Sequence, residues 1–99
     1  MDMEQLMAQA KELQDKVSAA QDELGRTHVK GIADAGACIA ELTCKYDIVA
    51  VTVSDAAAAR GGAYVSKVVT DALRDAKTKA DEIIDRVMGA ATSGMPMPE

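Results

Sequence analysis

The sequence predicts an α+β protomer in the order α-β-β-β-α, in which two long amphipathic helices flank a three-stranded antiparallel sheet. Two changes of periodicity carry this expectation. Apolar residues recur at helical spacing as far as Leu24, alternate with a period of two between Arg26 and Val53, and return to helical spacing from about Ala63. A third observation is compositional. The 99 residues include 19 alanines and two tyrosines but no phenylalanine and no tryptophan. Small side chains bury little area each, at about 25 cal/mol per Å2. A short chain of this kind lacks the means to fill a roomy monomeric core, and association with a second copy is the natural remedy.

The first helix rests on Met3, Leu6, Ala10, Leu13, Val17, Ala20 and Leu24, which alternate steps of three and four over three heptads. That is the spacing of a coiled-coil seam. Asp2 and Gln5 suit a capping box at its start, and Gly25 suits the position just past its end. Glu4, Lys11, Glu12, Asp15 and Asp22 point outward, with Glu12 and Lys16 forming a favourable i,i+4 pair.

Three strands follow. Thr27 to Ile32 reads as the first, Asp34-Ala35-Gly36 as a turn, and Ala37 to Thr43 as the second, with Cys38, Ala40 and Leu42 on one face. Cys44 to Asp47 is a reversal, and Ile48 to Val53 is the third strand, with Val49, Val51 and Val53 on one face. Short loops between all three imply an antiparallel meander. Ser54 caps a brief helical turn that Gly61-Gly62 breaks. The last helix then runs from about Ala63 to Met88 on a stripe of Val65, Val69, Ala72, Ala76, Ala80, Ile83 and Val87, widened by Val68, Leu73 and Ile84. Asp75 with Lys79, and Glu82 with Arg86, are i,i+4 pairs on its polar side. Residues 1–89 are expected to form one domain and residues 90–99 a flexible tail. Helices of about 33–39 Å overhang a sheet only about 15 Å across, and an overhanging apolar stripe calls for a second chain.

Several functions are excluded as expectations. No run approaches the roughly 18 apolar residues of a membrane span. Asp2 and Glu4 stand where a secretory leader carries basic charge. Cys38 and Cys44 are too few for a disulfide framework and lack metal spacing, so they read as small buried hydrophobes. His28, the single histidine, reads as a strand residue. Gly61-Gly62 is no phosphate loop, and no carboxylate pair or serine elbow suggests catalysis. The expectation is a protein with no catalytic residues, no metal, no cofactor and no small-molecule substrate. A formal charge of -5 and a pI near 4.8 argue against nucleic acid at first sight.

The ordered motifs nevertheless resemble the YbaB/EbfC family of bacterial nucleoid-associated proteins. The opening Met1-Asp2-Met3-Glu4-Gln5-Leu6-Met7-Ala8-Gln9-Ala10 is similar to its first helix, and Val29-Lys30-Gly31 with Ala35-Gly36 falls at its first strand and turn. Asp71-Ala72-Leu73-Arg74-Asp75-Ala76 is similar to the centre of its last helix, and Met88-Gly89-Ala90 with Gly94-Met95-Pro96-Met97-Pro98 to its C-terminal signature. The turns Asp34–Ala37 and Cys44–Asp47 are poorer in glycine than the family pattern. The resemblance implies an intertwined homodimer whose sheets join and whose helices project as tweezer arms. It implies binding to double-stranded DNA with modest sequence preference, in the cytoplasmic nucleoid. By position, the implied phosphate contacts are Lys11 and Lys16 on the first helix and Lys77, Lys79 and Arg86 on the last. A prefoldin-like assembly module without DNA binding is the alternative that the overhanging stripes leave open.

Overall fold

The computed structural model describes residues 2–92 and has the expected order of elements. Helix α1 spans Met3–Arg26. Strands β1, β2 and β3 span His28–Ala33, Cys38–Thr43 and Ile48–Val53. The single turn α2 spans Asp55–Ala58, and helix α3 spans Gly62–Ala91. The expected tail signature, Gly94 to Pro98, lies outside the described residues.

Helix α1 begins at Asp2, whose carboxylate accepts the Glu4 amide at 3.3 Å. It continues through Gly25 to Arg26 rather than stopping at the glycine, because Thr27 supplies the stop: its hydroxyl donates to the Glu23 carbonyl at 2.7 Å. The amide of Cys44 donates to the carbonyls of Leu24 and Thr27, which stitches the end of the helix to the end of β2. The seam is used unevenly. Ala20 and Leu24 are buried, Leu13 and Val17 are half-buried, and Met3, Leu6 and Ala10 are exposed.

The sheet has the order β1-β2-β3, antiparallel throughout. Val29, Gly31 and Ala33 stand opposite Leu42, Ala40 and Cys38 and form one buried face. On the far side Val51 and Val53 face Ala40 and Cys38, but the register shifts between Glu41 and Leu42. The shift brings Ile48 opposite Leu42 and leaves Val49 without a partner. Strict alternation therefore groups Val49 with Val51 and Val53, whereas the ladder seats Ile48 there. A bulge displaces the pleat by one residue, and spacing alone does not reveal one.

Helix α3 lies on the buried face through Val68, Ala72, Ala76 and Ala80. Its closest approach is at Gly31, where a Cβ would stand 1.9 Å from the Ala72 carbonyl oxygen and 2.4 Å from the Ala76 nitrogen. The helix packs on β1 and β2 and scarcely touches β3. It passes through Gly89 and ends at Ala91, with the Thr92 hydroxyl donating to the Met88 carbonyl at 2.9 Å. Beyond the sheet Ile83, Ile84, Val87 and Met88 extend the core, and α1 packs along α3. The described residues measure 68 × 26 × 16 Å, as expected of helices that overhang a small sheet. Cys38 and Cys44 are free and buried, and burial pushes both thiols above their ordinary pKa.

Two glycine substitutions separate packing from propensity. Gly31→Ala should destabilise by at least about 2 kcal/mol, because the added methyl meets helix backbone rather than a side chain that can turn aside. Gly89→Ala meets nothing within 4 Å and should stabilise the helix by about 0.5–1 kcal/mol. Urea unfolding followed by circular dichroism measures both.

Candidate nucleic-acid interface

A protein that holds DNA through phosphates needs lysine and arginine that are not already committed to carboxylates. Charge is distributed unevenly along this chain. Residues 2–25 carry six carboxylates against two lysines, and residues 81–92 carry three carboxylates against Arg86. The intervening stretch, 26–79, carries eight lysines and arginines against six carboxylates. The projecting part of the molecule is thus acidic, and the part around the sheet is mildly basic.

The five residues named in the sequence analysis occupy different settings. Lys16 pairs with Glu12 at 3.6 Å, and Lys77 with Asp81 at 3.0 Å, both on open surface. Lys79 is held more firmly: its ammonium lies 2.9 Å from Asp75 and donates at 2.8 Å to the carbonyl of Lys30 in β1. Lys11 and Arg86 are exposed and have no ion-pair partner among the described residues, so the expected Glu82–Arg86 pair is not formed. Lys11 and Lys16 sit on α1, Lys77 and Lys79 over the sheet, and Arg86 on the far part of α3. The five are thus divided between two helices.

Six further cations were not singled out by sequence, and two of them lie on α3. Lys67 and Arg74 are exposed on α3 and have no ion-pair partner among the described residues. Seven residues apart, they share the outward side of the helix, about 10 Å from each other. Thr70 and Thr78 stand one turn to either side of Arg74, and each turns its hydroxyl back to the carbonyl four residues earlier. The available signal was that Arg74 has threonine at both i-4 and i+4, where Lys79 and Lys16 each have a carboxylate at i-4.

The carboxylates near the sheet are largely engaged. Asp81 accepts from the Tyr46 hydroxyl and from Lys77, which holds its pKa below the ordinary value. The Tyr46 phenol is pushed up by the same bond. Asp34, in the left-handed turn after β1, accepts from Tyr64, and the Arg60 guanidinium lies 3.8 Å above the Tyr64 ring. His28 and Glu41 meet at 2.8 Å on the open side of the sheet.

The sequence of the chain matches that of the YbaB/EbfC DNA-binding family over residues 1–95. The chain belongs to that family. Its fold is similar to the crystal structure of the uncharacterized protein HP0035 from Helicobacter pylori, with a TM-score of 0.80 at 14% identity, covering 91% of this chain and 96% of that one. At that identity the likeness establishes the shared α-β-β-β-α architecture. Family membership makes this a DNA-binding, nucleoid-associated protein. No helix among the described residues is long and apolar enough to cross a membrane, and no group of three or more His, Cys, Asp or Glu among them is placed to hold a metal.

Asp75 gives this surface a pH signature. Its bond from the Ile32 amide, and then Lys79, hold its pKa below the ordinary value. A depressed folded-state pKa contributes stability above the unfolded value that is lost as pH falls through the folded one. Asp75→Asn should therefore be less stable than the parent at neutral pH. The difference should shrink as pH falls below the ordinary aspartate range and toward the lower folded-state value, as read by denaturant midpoints at pH 7 and pH 3.

Proposed function

We propose that this chain is a non-enzymatic homodimer that binds duplex DNA with low sequence specificity, alters its conformation, and so contributes to nucleoid organisation and gene regulation in the cytoplasm. The carrying observation is the family match along nearly the whole chain. Two features support a dimer. Strand β3 is an apolar edge left largely uncovered, with Ile48, Val49 and Val51 exposed. The near half of the α1 seam is also bare, with Met3 73% and Leu6 46% exposed. Monomers rarely leave such a combination open to water. The prefoldin-like alternative calls for one heptad seam continued through both helices. The buried positions of α3 instead step by four, from Val68 through Ala72 and Ala76 to Ala80, and rest on a sheet.

Phosphate contact comes from cations that can leave their present neighbours. Lys11, Arg86, Lys67 and Arg74 meet that condition directly. Lys16 and Lys77 meet it at small cost, since exposed ion pairs are worth about 0–1 kcal/mol. Lys79 joins them only by releasing Lys30 and Asp75. Such contacts are sequence-blind and weaken with salt. The carboxylates around Lys11 and Arg86 on the acidic arms weaken their hold on a duplex, which favours engagement through Lys67 and Arg74 on α3.

Fluorescence anisotropy with short duplexes at 50–200 mM salt tests this reading. Binding should fall steeply with salt and vary little with sequence. Replacing both Lys67 and Arg74 by alanine should lower the log–log salt slope by about 2 for each protomer that touches the duplex. Absence of binding by the parent protein at micromolar concentration and low salt would overturn the proposal.

A further inference from the structure

The two edges of the sheet are treated differently. In an antiparallel ladder, alternate residues turn both backbone groups away from the neighbouring strand. On β1 two such outward groups, the Ile32 amide and the Lys30 carbonyl, are already taken. Ile32 donates to the Asp75 carboxylate at 2.9 Å, and Lys30 accepts from the Lys79 ammonium at 2.8 Å. Asp75 and Lys79 bond each other at 2.9 Å, one turn apart on α3. These side chains occupy adjacent positions in the row that an incoming strand would use. On β3 the pairing of the Ser54 amide with the Ala37 carbonyl at 2.9 Å sets the phase, so Val51 and Val53 are the residues that turn outward. Among the described residues no side chain bonds to their backbone groups.

We infer that Asp75 and Lys79 form an edge guard that closes β1 to strand pairing and so confines self-association of this chain to β3. The guard is built from opposite charges, and its carboxylate accepts where a strand would offer a carbonyl while its ammonium donates where a strand would offer an amide. It follows from the offset of the helix: packed over Gly31, α3 brings its i and i+4 side chains down over the β1 edge. With one edge closed, two copies pair β3 to β3 and the assembly ends there. With both edges open, β1 of one copy can pair with β3 of the next, and that head-to-tail contact has no reason to close.

This inference rests on the homodimer reading above, and light scattering after size exclusion distinguishes the two. The parent protein reports on the dimer, and Asp75→Ala with Lys79→Ala reports on the guard. The double variant, if guarded edges matter, should form species larger than the parent whose mass rises with concentration. Adding Val51→Pro, which removes an outward amide from β3 without touching the β2 ladder, should abolish that growth. A helical double variant of the same mass as the parent overturns the guard. A monomeric parent overturns the dimer, and growth of the double variant even then supports the guard. Should the double variant lose its helical circular dichroism, Lys79→Met alone frees the Lys30 carbonyl and is read the same way, growth supporting the guard and unchanged mass overturning it.

Discussion

The close seating of α3 on Gly31 is the contact on which the rest of the molecule depends. Only a residue without a side chain lets the helix backbone at Ala72 and Ala76 approach β1 so nearly. The alanines on the helix serve the same end, since Ala72, Ala76 and Ala80 are fully buried. A helix drawn this far toward β1 leaves β3 uncovered. A composition poor in aromatics is thus the means of a close, offset packing, and it transfers the unburied apolar surface to one edge of the sheet and to the free half of α1.

The same offset organises the charges. Lys79 and Asp75 are drawn to the β1 edge, and Tyr46 reaches from the β2–β3 turn to Asp81 on α3. These bonds use up part of the helix's charge as internal structure. The outward side keeps Lys67 and Arg74, while carboxylates dominate the projecting ends. An acidic chain in a DNA-binding family is then no contradiction, because net charge sums over surfaces that do not all meet the duplex.

Much of this was legible in the sequence. The heptad of α1, the period-two segment and the stripe of α3 placed every element within a few residues. Glycines misled at helix ends, because Gly25 and Gly89 lie inside helices whose stops come from Thr27 and Thr92. The bulge at Val49 was hidden because Val49 itself begins the alternation that Val51 and Val53 continue. For the candidate site, the family resemblance implied Lys79 as a phosphate contact. Its bond to the Lys30 carbonyl depends on a separation of 49 residues that no local pattern encodes. Lys67 and Arg74 were passed over, although the threonines one turn to either side of Arg74 were legible in the sequence.

The central claim is that one edge of the sheet is closed within the chain and the other is closed by a second copy. Amide hydrogen exchange at Ile32 and Val51, followed as the protein is diluted, tests it directly. The account predicts that Ile32 stays protected at every concentration, while protection of Val51 falls as the dimer dissociates. Loss of protection at both amides together, or at Ile32 alone, would contradict it.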